Sequence, residues 1–278
     1  MTTGEALQTG TERLRESGSV SPELDAEILL AFALKMERTA LFRNPERVLP
    51  AKAQAQFAGL LNRRVRREPI AYLVGHKEFY DHDFFVDRNV LIPRPESEMI
   101  VETFLEMFQR SAELTIADIG TGSGCLAVTL ALFYPNAKII ATDISEQALN
   151  VARKNAERFN VQNRITFLIG NLLEPLTEHN KLDAVIANLP YVPDEERRAN
   201  PDLAYEPVLA LSGIKEPEQL YAEFFEQWKA RPDHPVALLE IHPAMRDFLE
   251  HETECLGISA TFKQDLAGKD RVMIVGTL

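Results

Sequence analysis

Four consecutive residues, Asn188, Leu189, Pro190 and Tyr191, follow the apolar run Asp183–Ala187 and join a carboxamide, a stiffened backbone and an aromatic ring at the end of a predicted strand. Such a set can grip something flat and polar, because the amide oxygen accepts N–H bonds and the ring offers a face. Upstream, "ADIGTGSGC" (117 to 125) ends another apolar run and puts Gly120, Gly122 and Gly124 in a strand-to-helix turn. Glycines there let backbone approach a ligand that side chains would exclude. Asp143 closes the next apolar run, 23 residues after Gly120, and is suited to accept bonds from two ribose hydroxyls. The glycines fall at positions one, three and five, whereas the dinucleotide fingerprint has them at one, three and six, so a pyrophosphate is less well served.

Those residues need a frame, and the chain from 114 onward supplies one. "LTIADIG", "KIIATDIS", "RITFLIGN", "DAVIANLP" and "VALLEIHP" read as strands, separated by helical stretches such as "GCLAVTLALFY" and "EQALNVARKNAERFN". Unbroken apolar strands alternating with helices predict an α/β fold, a mainly parallel, doubly wound sheet covered on both faces. Ligands in such sheets sit beyond the carboxyl ends of the strands, where both motifs fall. "ISATFKQDLAGKDRVMIVG" reads as two strands around a loop, a hairpin closing one edge.

Residues 1–73 read instead as a small all-helical domain. Ser21 and Pro22 suit a helix start, after which Leu24, Ile28, Leu29 and Phe32 share one face. A further helix runs from about Pro50 into "RRVRRE" (63 to 68), whose arginines suit a helix C-terminus, with an acidic partner or RNA as the alternative use. Between the halves, residues 74–96 hold two aromatic-rich runs flanking Asp81-His82-Asp83, as in a β-hairpin, and then a proline-stiffened loop. Ser97 or Glu96 is placed to serve the N-terminus of the next helix, which opens the domain 97–278.

Composition narrows the function classes. The chain has 278 residues, 45% hydrophobic, with a mean hydropathy of -0.16. No apolar run reaches the ~18 residues that span a bilayer, and the N-terminus lacks a leader pattern, so a cytoplasmic protein without a membrane partner is expected. Cys125 and Cys255 cannot build a disulfide framework or a zinc site, and six scattered histidines lack ligand spacing, so no metal is expected. Residues 1–73 carry 11 Lys and Arg against 9 Asp and Glu, while the remainder carries 19 against 33. A half that acidic repels a phosphate backbone and disfavours nucleic acid as substrate.

The pattern (D/E)-x-G-x-G-x-G, with an acid at the end of the second strand, resembles S-adenosylmethionine-dependent methyltransferases with a Rossmann-like class I fold. Asn188-Leu-Pro-Tyr191 resembles the (N/D/S)-P-P-(Y/F/W) motif of enzymes that methylate planar exocyclic or amide nitrogens, with Leu189 in place of the first proline. That change brings it near the "NLPY" of ribosomal-RNA adenine dimethylases, so these four residues leave adenine and amide both open. "RRVRREPIAYLVGHKEFYDHDFFVDRNVLIPRPESEMIVE", "LDAEILL", "YEPVLALSG", "LLEI" and "DLAGKDRVMIVG" resemble the HemK/PrmC family of release factor glutamine methyltransferases over nearly the whole chain.

The resemblance implies methyl transfer from S-adenosyl-L-methionine, giving S-adenosyl-L-homocysteine, to the glutamine side-chain amide in the Gly-Gly-Gln loop of class I peptide-chain release factors. It implies that Asp118, Gly120, Thr121, Gly122, Ser123, Gly124 and Asp143 bind the donor with Asn171, Leu172 and Asn188. Asn188, Leu189, Pro190 and Tyr191 would hold the glutamine, while Arg94 and Glu206 shape the mouth. Asn171 stands where the family usually has Asp. "EIHPAM" replaces the family's Glu-Ile-Gly and following Gln, so His242 and Met245 imply an altered loop. Two other readings are an adenine methyltransferase acting on RNA or DNA, and a non-catalytic protein that keeps the cofactor pocket.

Overall fold

The computed structural model describes residues 1–176 and 181–277. Two compact units emerge: Met1–His76 with Asn200–Tyr205, and Lys77–Ala199 with Glu206–Leu278. The smaller is helical, with α1 (Thr3–Glu16), α2 (Pro22–Leu34), α3 (Ala51–Arg64) and α4 (Ile70–Val74). A capping box starts α1: the Thr2 hydroxyl accepts from Glu5 N–H, and the Glu5 carboxylate accepts from Thr2 N–H. Pro22 opens α2 as expected, but the Ser21 side chain makes no cap bond.

The buried face of α2 is Ala26, Leu29, Leu30 and Ala33, packed with Leu14, Phe57 and Leu61. Leu24 and Phe32, which the spacing assigned to that face, are 40% and 36% exposed. The helix is apolar around most of its circumference and touches α1, α3 and α4, so periodicity alone could not choose its inner face. Three arginines of the cluster are paired within this unit. Arg63 bonds Glu68 at 2.5 Å, Arg64 bonds the buried Asp25 at 2.8 Å, and Arg67 meets Asp202 at 3.3 Å.

From Lys77 on, the larger unit opens with a hairpin whose strands are β1 (His76–Phe79) and β2 (His82–Phe85). Its turn is Tyr80-Asp81, with φ of +49° and +60° as a type I′ turn requires; Asp83, expected in the turn, lies within β2. After α5 (Glu98–Met107) come β3 (Thr115–Ile119), α6 (Cys125–Phe133), β4 (Lys138–Asp143), α7 (Glu146–Arg158), β5 (Ile165–Ile169) and β6 (Ala184–Asn188). Then follow α8 (Asp194–Ala199), α9 (Val208–Leu211), α10 (Pro217–Ala230), β7 (Val236–Glu240), α11 (Arg246–Leu256), β8 (Ala260–Gln264) and β9 (Asp270–Val275).

The sheet order is β5-β4-β3-β6-β7-β9-β8, parallel from β5 to β7 and antiparallel at the β9-β8 edge. Strand alternation divides the core. Ile116, Ile139, Ile186 and Leu238 face one side with Ile100 and Phe104 of α5 and Leu130 of α6. Ala117, Ile119, Val185 and Leu239 face the other, with Tyr221, Phe224 and Trp228 of α10. Phe79 and Phe84 of the hairpin join the α5 side, so this expected junction is built into the larger core.

One buried amide joins hairpin to sheet. Asn155 of α7 accepts from Phe85 N–H at 2.8 Å and donates to the carbonyls of Phe85 and Ser123 at 2.9 and 2.8 Å. Asn155→Ala should therefore lower stability by about 2–4 kcal/mol, because three bonds vanish and the freed backbone groups stay wholly or partly buried. Urea unfolding checks this; a loss below about 0.5 kcal/mol would show that the amide is not a structural tie.

Candidate active site

At the carboxyl ends of β3, β4 and β6, where the chain reverses direction across the sheet, lies a cavity of about 290 Å³. Gly120, Thr121, Gly122 and Ser123 line it from the β3–α6 turn, with Asp143, Asn171, Leu172, Asn188, Leu189 and Pro190 from neighbouring strand ends. Asp118, Gly124 and Tyr191 are not among its lining residues. Asp118 lies beneath the turn, where one carboxylate oxygen accepts from the Thr121 hydroxyl at 2.6 Å and Ala127 N–H at 3.1 Å. Gly124 faces α7: a Cβ there would meet Ala152 Cβ at 3.0 Å, and its φ is +79°. It is a packing glycine.

Asp143 clips the glycine turn from the next strand. Its oxygens accept from Gly122 N–H and Ser145 N–H, each at 2.9 Å, and burial raises its pKa against the pull of those two bonds. Lone pairs remain for hydroxyl donors at the cavity. Leu172 holds a φ of +48°, rare for a branched side chain, and its carbonyl accepts from Thr142 Oγ1 at 3.3 Å. Asn171 is oriented by α10: its Nδ2 donates to Glu223 at 2.9 Å, while the other Glu223 oxygen takes Lys215 at 2.7 Å.

Asn188 ends β6 beside Glu240, its register partner at the end of β7. Asn188 Nδ2 donates to Ser97 Oγ at 2.9 Å, and Ser97 Oγ donates to Glu240 Oε2 at 2.5 Å. The Tyr191 hydroxyl donates to Glu240 Oε1 at 2.8 Å, so this ring is tied by its tip and half-buried near His242. Ser97, expected to cap α5, makes no cap bond; its one proton goes to the carboxylate. Neither Ser97 nor Glu240 was legible as a site residue, since their meeting depends on strand order and on where α5 crosses. The signal available was two apolar runs, each ending in a polar residue.

Around the mouth, Arg94 bonds the buried Glu206 at 2.5 Å, and Glu206 also accepts from Ile92 N–H at 3.1 Å. His242 accepts from Ala244 N–H at 3.2 Å and opens a short turn, Pro243–Met245, that buries Met245. Burial pushes the Cys125 thiol up to about 12, which leaves it unreactive. Among the described residues no three His, Cys, Asp or Glu side chains group to hold a metal ion, and no helix is long and apolar enough to cross a membrane.

A parallel seven-stranded sheet with an antiparallel edge, a glycine turn after its central first strand and an acid ending the next define a Rossmann-like class I methyltransferase. Residues 110–231 match the methyltransferase domain family, and residues 5–75 match the PrmC N-terminal domain. The chain belongs to the release factor glutamine methyltransferase family. A release factor glutamine methyltransferase of Moorella thermoacetica is 42% identical over 77% of this chain and 75% of its own length. That of Leptospira interrogans is 33% identical over 97% and 96%. A methyltransferase of Pyrococcus furiosus shares the fold, with a TM-score of 0.54 at 20% identity over 77% of this chain and 96% of its own.

Asp118 allows a test of the floor beneath the turn. Burial pushes its carboxyl up to about 7, against the Thr121 and Ala127 bonds, and its other oxygen is buried without a partner. A raised folded-state value means the contribution is full below about pH 4 and is lost as pH rises through about 7. Asp118→Asn should flatten the fall in stability between about pH 4 and 7 by on the order of 1–3 kcal/mol. Identical pH profiles in denaturant titrations of the two proteins would refute that assignment.

Proposed function

We propose that this enzyme transfers the methyl group of S-adenosyl-L-methionine to the side-chain amide nitrogen, N5, of the glutamine in the Gly-Gly-Gln loop of class I peptide-chain release factors, in the cytoplasm. The observation that carries this reading is the state of Asn188. Its nitrogen is committed to Ser97, no described residue donates to its oxygen, and the side chain lines the cavity beside the glycine turn.

The residues present fit the donor. Gly120 and Gly122 offer a wall of backbone, Asp143 offers acceptors for ribose hydroxyls, and Asn171 and Leu172 flank the far end. When bound, S-adenosyl-L-methionine supplies an electrophilic methyl carbon on a sulfonium. Thr121, Ser123, Asp118 and Gly124 serve by shaping the turn. The chain's remaining task concerns the acceptor. An amide nitrogen delocalises its lone pair into the carbonyl and is a poor nucleophile. The Asn188 side-chain oxygen and the Leu189 backbone carbonyl each take one N–H, which fixes the nitrogen and stabilises positive charge developing on it. The proton it then loses is acidic enough to leave to water, so no strong base is needed.

The paired state of Arg63, Arg64 and Arg67 supports a protein rather than a nucleic-acid substrate, since each cation already has a carboxylate. Residues 1–73 would then recognise the release factor, with 74–96 as the linker segment and 97–278 as the donor-binding domain. Removing residues 1–73 should weaken labelling of an intact release factor far more than donor binding; unaffected labelling counts against that role.

Incubation with S-adenosyl-L-methionine should add one methyl, seen by mass spectrometry, to the tripeptide loop of a release factor, and Gln→Ala in that loop should abolish it. Labelling that persists at the same level on the Gln→Ala factor defeats the proposal. Asn188→Ala should leave donor binding near normal while turnover falls about 100-fold or more.

A further inference from the structure

Two motifs have no part in that chemistry as stated, the Pro-Arg-Pro-Glu-Ser run before α5 and the Leu-Leu-Glu-Ile run of β7. They converge behind Asn188. Strand alternation turns Asn188 and Glu240 to the same side of the sheet as Ile186 and Leu238, the side that α5 covers. Ser97, at the start of α5, lies between them and bonds both.

From this geometry we propose that Ser97 and Glu240 are positioning residues for methyl transfer, holding the Asn188 carboxamide with its nitrogen toward Ser97 and its oxygen toward the acceptor amide. The inference rests on the amide reading of the site. Ser97 has one hydroxyl proton, and an ionised Glu240 can only accept, so that proton points at Glu240. The Ser97 oxygen is then purely an acceptor toward residue 188, and only the Nδ2 end of the carboxamide can face it. A protonated Glu240 reverses the logic. It can donate to Ser97 Oγ, which frees the serine proton to bond Asn188 Oδ1. The carboxamide then turns over and presents N–H groups to an acceptor that itself carries N–H groups.

The surroundings of Glu240 set where that reversal falls. The carboxyl is 1% exposed, and burial raises its pKa, opposed by the Ser97 and Tyr191 hydroxyls. Glu96, before α5, pushes it further up, and Arg271 of β9 pulls it down, although Arg271 is also held by Asp265 at 3.0 Å. From α10, the Tyr221 hydroxyl donates to the Glu240 backbone carbonyl at 2.7 Å and adds no charge. Activity should therefore have an acid limb above the ordinary carboxylate range.

The test compares wild type, Ser97→Ala, Ser97→Thr and Glu240→Gln, using a full-length release factor and S-adenosyl-L-methionine. Ser97→Ala should lower kcat about 10- to 100-fold with donor affinity, read by calorimetry, changed less than about twofold. Ser97→Thr keeps the hydroxyl and should restore most of kcat, and Glu240→Gln should abolish the acid limb of the kcat profile. Independently of turnover, the side-chain NH₂ signals of Asn188 in ¹⁵N-labelled protein, assigned by their loss in Asn188→Ala, should exchange with solvent more slowly in wild type than in Ser97→Ala. A wild-type kcat in Ser97→Ala, an unchanged acid limb in Glu240→Gln, or equal exchange in the two proteins overturns the inference. A wild type that labels no release factor defeats the proposed function instead, and the exchange comparison then decides the inference alone.

Discussion

A side-chain carboxamide has the same outline whichever way round it sits, so packing by itself cannot tell Asn188 which end to offer. Hydrogen bonding can. The contact from Asn188 Nδ2 to Ser97 Oγ, backed by the Ser97–Glu240 bond, is the constraint that gives the cavity a defined acceptor. Much of the larger unit serves to place it. Parallel pairing of β6 with β7 brings residues 188 and 240 side by side, and the apolar face beneath them binds α5, which delivers Ser97. Burying a carboxylate at that point is costly, and two hydroxyl donors offset the cost without introducing a competing cation beside Asn188.

The same economy recurs beneath the glycine turn. Asp118 and Asp143 are held by hydroxyl and backbone N–H donors, not by lysine or arginine. Arg94 and Lys215 do line the cavity, yet each is spent on a carboxylate, Glu206 and Glu223. The wall is thus left with acceptors and little free positive charge. Under the proposed function that balance suits a sulfonium, which a bare guanidinium or ammonium would repel at close range.

How much of this was legible depended on range. The alternation of strands and helices followed from apolar runs bounded by turn residues, and the glycine turn fell where those runs end, because both signals are local. The inner face of α2 did not, since an all-round apolar helix leaves the choice to its neighbours, and Leu24 and Phe32 ended exposed. The hairpin turn shifted to Tyr80-Asp81 because two residues with positive φ fit the strand twist, and the sequence there contains no glycine to mark them. Ser97 looked like a helix cap by position. Its partner lies 143 residues away in the chain, and no local rule reaches that far.

Long-range ties of the same kind hold residues 189 and 171, where the resemblance implied departures. A proline at 189 would have stiffened the backbone around Asn188; Leu189 instead buries its side chain to 3% exposure in the core beside α10. Asn188 is then secured from two directions, by the Leu189 anchor after it in the chain and by Ser97 across the sheet end. Stiffness of the main chain has been exchanged for attachment. At 171 Glu223 takes the Nδ2 end of the carboxamide, which leaves its oxygen without that partner. In both places a carboxamide is given a direction by a neighbour that accepts from its nitrogen. That shared device holds the nitrogen end of two amides that line the cavity, Asn171 and Asn188.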